Sequence, residues 1–81
     1  MTHKNTETTI CINQFDKVAE FINIVNKFTC SVDASQGKYV IDGHSILGIY
    51  SLNLMKPVKI LAYGNDAEEL IEKLRKEFGC I

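Results

Sequence analysis

No stretch of this chain approaches the roughly 20 consecutive apolar residues a bilayer span requires. The polar opening Met1-Thr2-His3-Lys4-Asn5-Thr6 lacks the apolar segment of a secretory signal. Excess charge of one sign is also missing: 9 Lys plus Arg stand against 10 Asp plus Glu, for a net charge of -1. Dedicated nucleic-acid binders carry a basic footprint, so neither nucleic acid nor membrane is expected as a partner. Cysteine is sparse. Cys11, Cys30 and Cys80 form no Cys-x-x-Cys pair, which argues against a thiolate zinc site or a thioredoxin-type redox centre. An odd count at wide spacing does not suggest a disulfide framework. Cys11 and Cys30 fall inside apolar patterns and are expected as small core residues; Cys80 is expected near the surface. The chain therefore reads as cytoplasmic and reduced.

Other absences narrow the chemistry. There is no internal repeat, no Gly-x-Ser-x-Gly elbow and no phosphate-loop motif. His3 and His44 stand apart from any ligand grouping and are expected as surface residues, so neither a metal nor a cofactor is expected. What is present is 81 residues, 46% hydrophobic and 23% charged. That is enough apolar surface for one core and too little chain for two. A chain this short leaves no room for a large enclosed active site. The whole of 1–81 is expected to form a single domain, with 1–6 as a frayed tail.

Periodicity sets the elements. Thr8-Thr9-Ile10-Cys11-Ile12 predicts a strand. Phe15, Val18, Ile22 and Val25, widened by Phe21, Ile24 and Phe28, predict an amphipathic helix capped by Asn13, with Asp16 near its positive end. Phe15, Phe21, Phe28 and Phe78 are spaced as core residues. Cys30 to Ala34 and Lys38 to Ile41 predict a hairpin turning at Ser35-Gln36-Gly37. Ser45 to Leu52 predicts a short helix in which Gly48 permits a close approach. Val58 to Tyr63 predicts a strand with Val58, Ile60 and Ala62 inward. Asn65 is expected to cap a last helix with the stripe Ala67, Ile71, Leu74 and Phe78, pairs Glu69–Lys73 and Glu72–Lys76, and a stop at Gly79. The order β-α-β-β-α-β-α implies an α+β fold: one antiparallel sheet with its helices on one face. Thr9, Asp33, Lys38 and Lys59 suit the wet face.

Ser45 has a specific rationale. It lies at a predicted helix N-terminus, where free N–H groups and the helix dipole favour an anion. A phosphate on it would add about −1.5 to −2 charges; as a plain N-cap it would contribute about 1 kcal/mol. Both readings stay open on the residues alone.

The segment His44-Ser45-Ile46-Leu47-Gly48-Ile49-Tyr50-Ser51-Leu52 resembles the regulatory-serine segment of the HPr family, phosphocarriers of the sugar phosphotransferase system, which reads Lys-Ser-Ile-Met-Gly-x-Met-Ser-Leu. Asn26-Lys27-Phe28 with Val32, and Gly64-Asn65-Asp66-Ala67-Glu68-Glu69, are similar to further family segments, so the likeness runs from about Thr8 to Phe78. It implies the HPr-like open-faced β-sandwich: a four-stranded antiparallel sheet with three helices on one face. The family's phosphocarrier motif Gly-x-His-Ala-Arg-Pro-Ala falls at the start of the first helix, with Gln14 in place of the phospho-accepting histidine and Asp16 in place of the arginine. Glutamine offers no nucleophilic ring nitrogen, and Asp16 would repel a phosphoryl group. The chain resembles a histidine-less catabolite-repression paralogue within that family, although the Ala-Arg-Pro-Ala stretch is gone.

The resemblance thus implies a regulatory or docking protein, not an enzyme. Ser45 would be a kinase-controlled switch, and Phe15, Ile46, Leu47, Ile49 and Tyr50 a docking surface. Implied partners are HPr kinase, a transcriptional regulator or phosphotransferase components. The alternatives are a small interaction domain that kept the fold without phosphate chemistry, and a phosphocarrier using another acceptor, His44 or His3.

Overall fold

A computed structural model describes residues 5–80; the expected tail therefore lies outside the described residues except for Asn5 and Thr6, which belong to the first strand. The elements are β1 (Asn5–Ile10), α1 (Lys17–Val25), β2 (Ser31–Gln36), β3 (Tyr39–Asp42), α2 (Ile46–Tyr50), β4 (Val58–Tyr63) and α3 (Ala67–Phe78). The strands form one antiparallel sheet in the order β1-β4-β2-β3. β4 and β2 are the two inner strands, each paired on both edges; on β4 the period-two stripe is clean, with Val58, Ile60 and Ala62 buried and Lys59 exposed. Across the open face Lys59 stands opposite Thr9 and Ser35, and Asp33 accepts a hydrogen bond from the Tyr63 phenol at 3.2 Å. Desolvation and that nearby carboxylate push the Tyr63 phenol above its ordinary value.

The covered face holds Val18, Phe21, Ile22 and Val25 of α1 and Ala67, Leu70, Ile71, Leu74 and Phe78 of α3. Phe21 meets Phe78 edge-on, ring centroids 6.1 Å apart. Phe28 packs against this core from its rim, whereas Phe15, spaced as a core residue, points outward and is 69% exposed.

Several boundaries differ from the sequence expectation, each for a local reason. α1 starts at Lys17, and Asn13 is not its cap. Asn13 has φ 64°, a conformation Asn tolerates, and its N–H donates to the Leu54 carbonyl at 2.9 Å. The hairpin turns at Gly37-Lys38, beyond the expected position, and only Gly37 takes positive φ. β2 runs on to Gln36 because that side chain is tied to Asn53 and Pro57 across the sheet end. At α3 the cap position is Asp66, not Asn65, and its carboxylate makes no capping bond. It accepts instead from the Thr29 N–H (2.8 Å) and hydroxyl (3.2 Å). Gly79 does end α3, but with extended backbone that bridges Ile10. Among the described residues Arg75 pairs with Glu72 on α3 at 3.0 Å, and neither expected i,i+4 pair is formed.

The cysteine expectation needs the largest correction. Cys11 is no core residue: it is half-buried and forms a disulfide with exposed Cys80, across a sequence separation of 69. The return of α3 brings its end against the end of β1, where the Cys11 N–H donates to the Phe78 carbonyl at 2.8 Å. Cys30 is the buried core residue expected. Burial, with the Asp66 carboxylate beside it, pushes its thiol up to about 11, so it stays protonated and unreactive near neutrality.

Asp66 carries a pH prediction. The Thr29 amide holds its carboxyl below the usual carboxylate range, against the opposing effect of desolvation. A carboxyl depressed in the folded state stabilises the fold fully above the unfolded value of about 3.9, and that contribution fades as pH falls through the folded value. Acid denaturation followed by circular dichroism should show a loss of stability below about pH 4 that is smaller in Asp66→Asn. An identical acid limb in both proteins would remove Asp66 from the account.

Candidate functional site

The candidate site is assembled from α2 and the loop before α1. Ser45 adopts extended backbone (φ −91°, ψ 113°) as the N-cap of α2, and its Oγ accepts from the Gly48 N–H at 3.1 Å. Ser51 closes the other end: its hydroxyl donates to the Gly48 carbonyl at 2.5 Å. Gly48 serves the interior rather than a partner. A Cβ there would stand 3.0 Å from Ile41 Cδ1 and 3.3 Å from Ser45 Oγ, so the bare position lets the short helix lie close on β3 without displacing either side chain. Replacing Ser45 with alanine removes the cap bond and is expected to cost about 1 kcal/mol of stability, read from a urea titration; no change would show that water satisfies the Gly48 amide equally well.

α2 presents Leu47 (79% exposed), Ile46 and Tyr50 to solvent. Ile49, expected on the same docking surface, is fully buried: one turn of helix places it inward with Leu52. It belongs to the core. Phe15, distant in sequence, completes the outward patch. Its ring lies 6.1 Å from that of Tyr50, whose hydroxyl donates to the Phe15 carbonyl at 3.4 Å. Gln14 and Asp16 flank it and are exposed; the turn is held by Lys17 N–H to Gln14 carbonyl and Val18 N–H to Phe15 carbonyl, both 3.2 Å. Asp16 occupies the cap position of α1 without a capping bond.

Two participants were missed from sequence. Met55, 71% exposed, sits in the 53–57 turn next to Leu54, which receives the Asn13 N–H; nothing in the sequence joins those loops. Asn26 is the other. His44, expected as a plain surface residue, is part-buried. Its Nε2–H donates to the Cys30 carbonyl at 3.2 Å, its Nδ1 meets the Asn26 side-chain amide at 2.9 Å, and its N–H donates to Asp42 at 2.9 Å. Both ring nitrogens are thereby engaged. No group of three metal-ligating side chains comes together among the described residues, and among these no helix is long and apolar enough to cross a membrane.

The α2 segment, its serine cap and this sheet order coincide with a known family. Residues 16–78 match the family profile described as "PTS HPr component phosphorylation site". The chain belongs to the HPr family. Its match begins at Asp16, after Gln14, and takes in Ser45 and the whole of α2. Among solved structures it is similar to HPr-C-His from Thermoanaerobacter tengcongensis, with 28% identity, 88% of each chain covered and a TM-score of 0.78. It is also similar to Crh, the catabolite repression containing protein of Bacillus subtilis, with 30% identity over 80% of this chain and 77% of that one and a TM-score of 0.67. The phosphocarrier protein HPr from Bacillus anthracis strain Ames shares the fold at 23% identity, with 91% and 94% of the two chains covered and a TM-score of 0.73. No curated protein sequence matches significantly.

Proposed function

We propose that this HPr-family chain is a non-catalytic regulatory or docking protein, without a phosphohistidine relay and with Ser45 as its phosphorylation switch. The observation that carries the reading is the placement of Ser45 at the edge of an exposed apolar patch: Leu47, Ile46 and Tyr50 on its own helix and Phe15 from the preceding loop. Solvent-facing apolar clusters of this kind mark protein-binding surfaces. A phosphate added at their rim would change the charge there by nearly two units and so change which partner fits. Gln14 supports the same reading from the other side. It stands where the family's acceptor histidine falls, and the flanking Asp16 would repel an incoming phosphoryl group. His44 is a poor substitute acceptor, since both its ring nitrogens are hydrogen-bonded. The partners of this reading are HPr kinase, a transcriptional regulator or phosphotransferase components, and its compartment is the cytoplasm.

A second reading has one observation of its own. Ser45 Oγ is already committed to the Gly48 amide, as a plain cap in a phosphate-free interaction domain would be.

Mass spectrometry separates the two. The protein is incubated with HPr kinase and ATP, and separately with enzyme I and phosphoenolpyruvate. Phosphate on Ser45 in the first reaction and none in the second is the expected result. Label on a histidine from enzyme I would overturn it, and no label in either would leave the phosphate-free domain.

A further inference from the structure

We propose that Cys11–Cys80 is a thiol–disulfide exchange site, a reversible clamp on the loop that carries Gln14, Phe15 and Asp16. The inference goes beyond the Ser45 reading, and only its last argument rests on the compartment proposed with that reading.

Placement is the first argument. Cys11 is the first residue after β1, and the chain turns two residues later at Asn13. Cys80 follows the end of α3. The bond therefore joins the root of the loop to the end of the last helix. Without it, that junction keeps the Cys11 N–H to Phe78 carbonyl bond and the Ile10–Gly79 bridge. The loop itself keeps the buried Ile12 side chain, the Asn13–Leu54 bond, the turn bonds from the Lys17 and Val18 N–H groups to the Gln14 and Phe15 carbonyls, and the Tyr50–Phe15 contact. Beyond Ile12, which is anchored in the core, residues 13–16 are held by hydrogen bonds and one ring contact, and the disulfide is the covalent tie at their root.

Accessibility is the second argument. Cys80 is exposed and Cys11 half-buried, so an external thiolate reaches the pair. Cys30 is buried with a thiol held protonated and cannot serve as an internal resolving group. Exchange is confined to one pair. The third argument is what lies beneath. Ile10 and Phe78, the core residues nearest the two cysteines along the chain, are buried among core side chains, so the bond lies at the margin of the core and is no part of its packing. Finally, the chain belongs to a family of phosphocarriers, and its proposed compartment is reducing. Disulfides that form in such a compartment are usually transient or redox-sensing rather than structural.

The exchange balances as follows. One thiolate of an external dithiol attacks Cys80 Sγ, the Sγ–Sγ bond breaks, and Cys11 leaves as a thiolate that takes up a proton. The second thiol of the dithiol attacks the mixed disulfide and releases Cys80 as a thiol. The dithiol ends as a disulfide, two electrons having passed to the protein. A disulfide oxidant runs the sequence backwards.

The test uses the full chain, purified without reductant, with dithiothreitol as the dithiol. Native alkylation by iodoacetamide and mass spectrometry are read beside amide NMR spectra. Before reduction none of the three cysteines should be labelled in the native protein. After reduction Cys11 and Cys80 should be labelled and Cys30 should not. Amide shifts should be confined to residues 11–16, the neighbouring Tyr50 and Leu54, and 76–80, with the β4 signals in place. Cys80→Ser should show the same shifts without reductant and no response to it. Labelling of Cys11 and Cys80 before reduction would show that no bond forms. Loss of the β4 signals or labelling of Cys30 on reduction would make the bond a structural staple. Unmoved loop signals would show that it clamps nothing. Any of these overturns the proposal.

Discussion

Cys80→Ser is expected to lower the melting temperature by about 15–30 °C relative to the oxidised wild type. The reason is the size of the covalent ring. The bond links residues 69 apart, close to the full length of the chain, so it removes a large share of the unfolded chain's freedom. The loop-entropy relation gives about 4 kcal/mol for a ring of this length. For a domain of this size each kcal/mol moves the midpoint by about 4–8 °C. Residual structure in the unfolded chain reduces the effect, which favours the lower half of the range. Thermal scans of wild type, wild type with dithiothreitol, Cys80→Ser and Cys11→Ser check it. The last three should melt together and well below the first. If all four melt within a few degrees, the bond does not form in solution.

Phe21→Ala and Phe15→Ala should part company just as widely. The two positions are six apart in one apolar pattern, and the sequence ranks them alike. In the structure Phe21 is fully buried against Phe78 while Phe15 is 69% exposed. Truncating Phe21 leaves a ring-sized cavity beneath the sheet and is expected to cost about 3–5 kcal/mol. Truncating Phe15 removes its ring contact with Tyr50 and little buried surface, within about 0.5 kcal/mol of neutral. Partner affinity should show the reverse order of importance, because an exposed aromatic at the centre of an apolar patch is the usual anchor of an interface. Urea unfolding of both variants measures the first contrast. A Phe15→Ala protein as destabilised as Phe21→Ala would place Phe15 in the core and dissolve the proposed docking patch.

How far the site was legible follows from these residues. Ser45 was visible as a cap because capping is local: a serine before an apolar run leaves its oxygen within reach of the N–H three residues on. Leu47 was visible as exposed only through the family segment, since a run as apolar as Ile46 to Leu52 does not announce its outward side. Ile49 shows the cost, assigned to the surface by proximity and found in the core. The engagement of His44 was not legible at all. It depends on Asn26 and Cys30, which come from the end of α1 and the start of β2, and no spacing rule relates those segments.

By itself the sequence determined the element types and their order, the inward stripe of β4, the buried face of α3 and the family segment around Ser45. Those features follow from side-chain periodicity and short-range hydrogen bonding, which act within one turn of helix or two residues of strand. Only the tertiary structure decided which cysteines meet, which phenylalanine faces solvent, and where the Asp66 carboxylate finds its donors. Each of these turns on groups from separate elements whose distance is set by packing the whole sheet against its helices, and the order of residues along the chain carries no record of that distance.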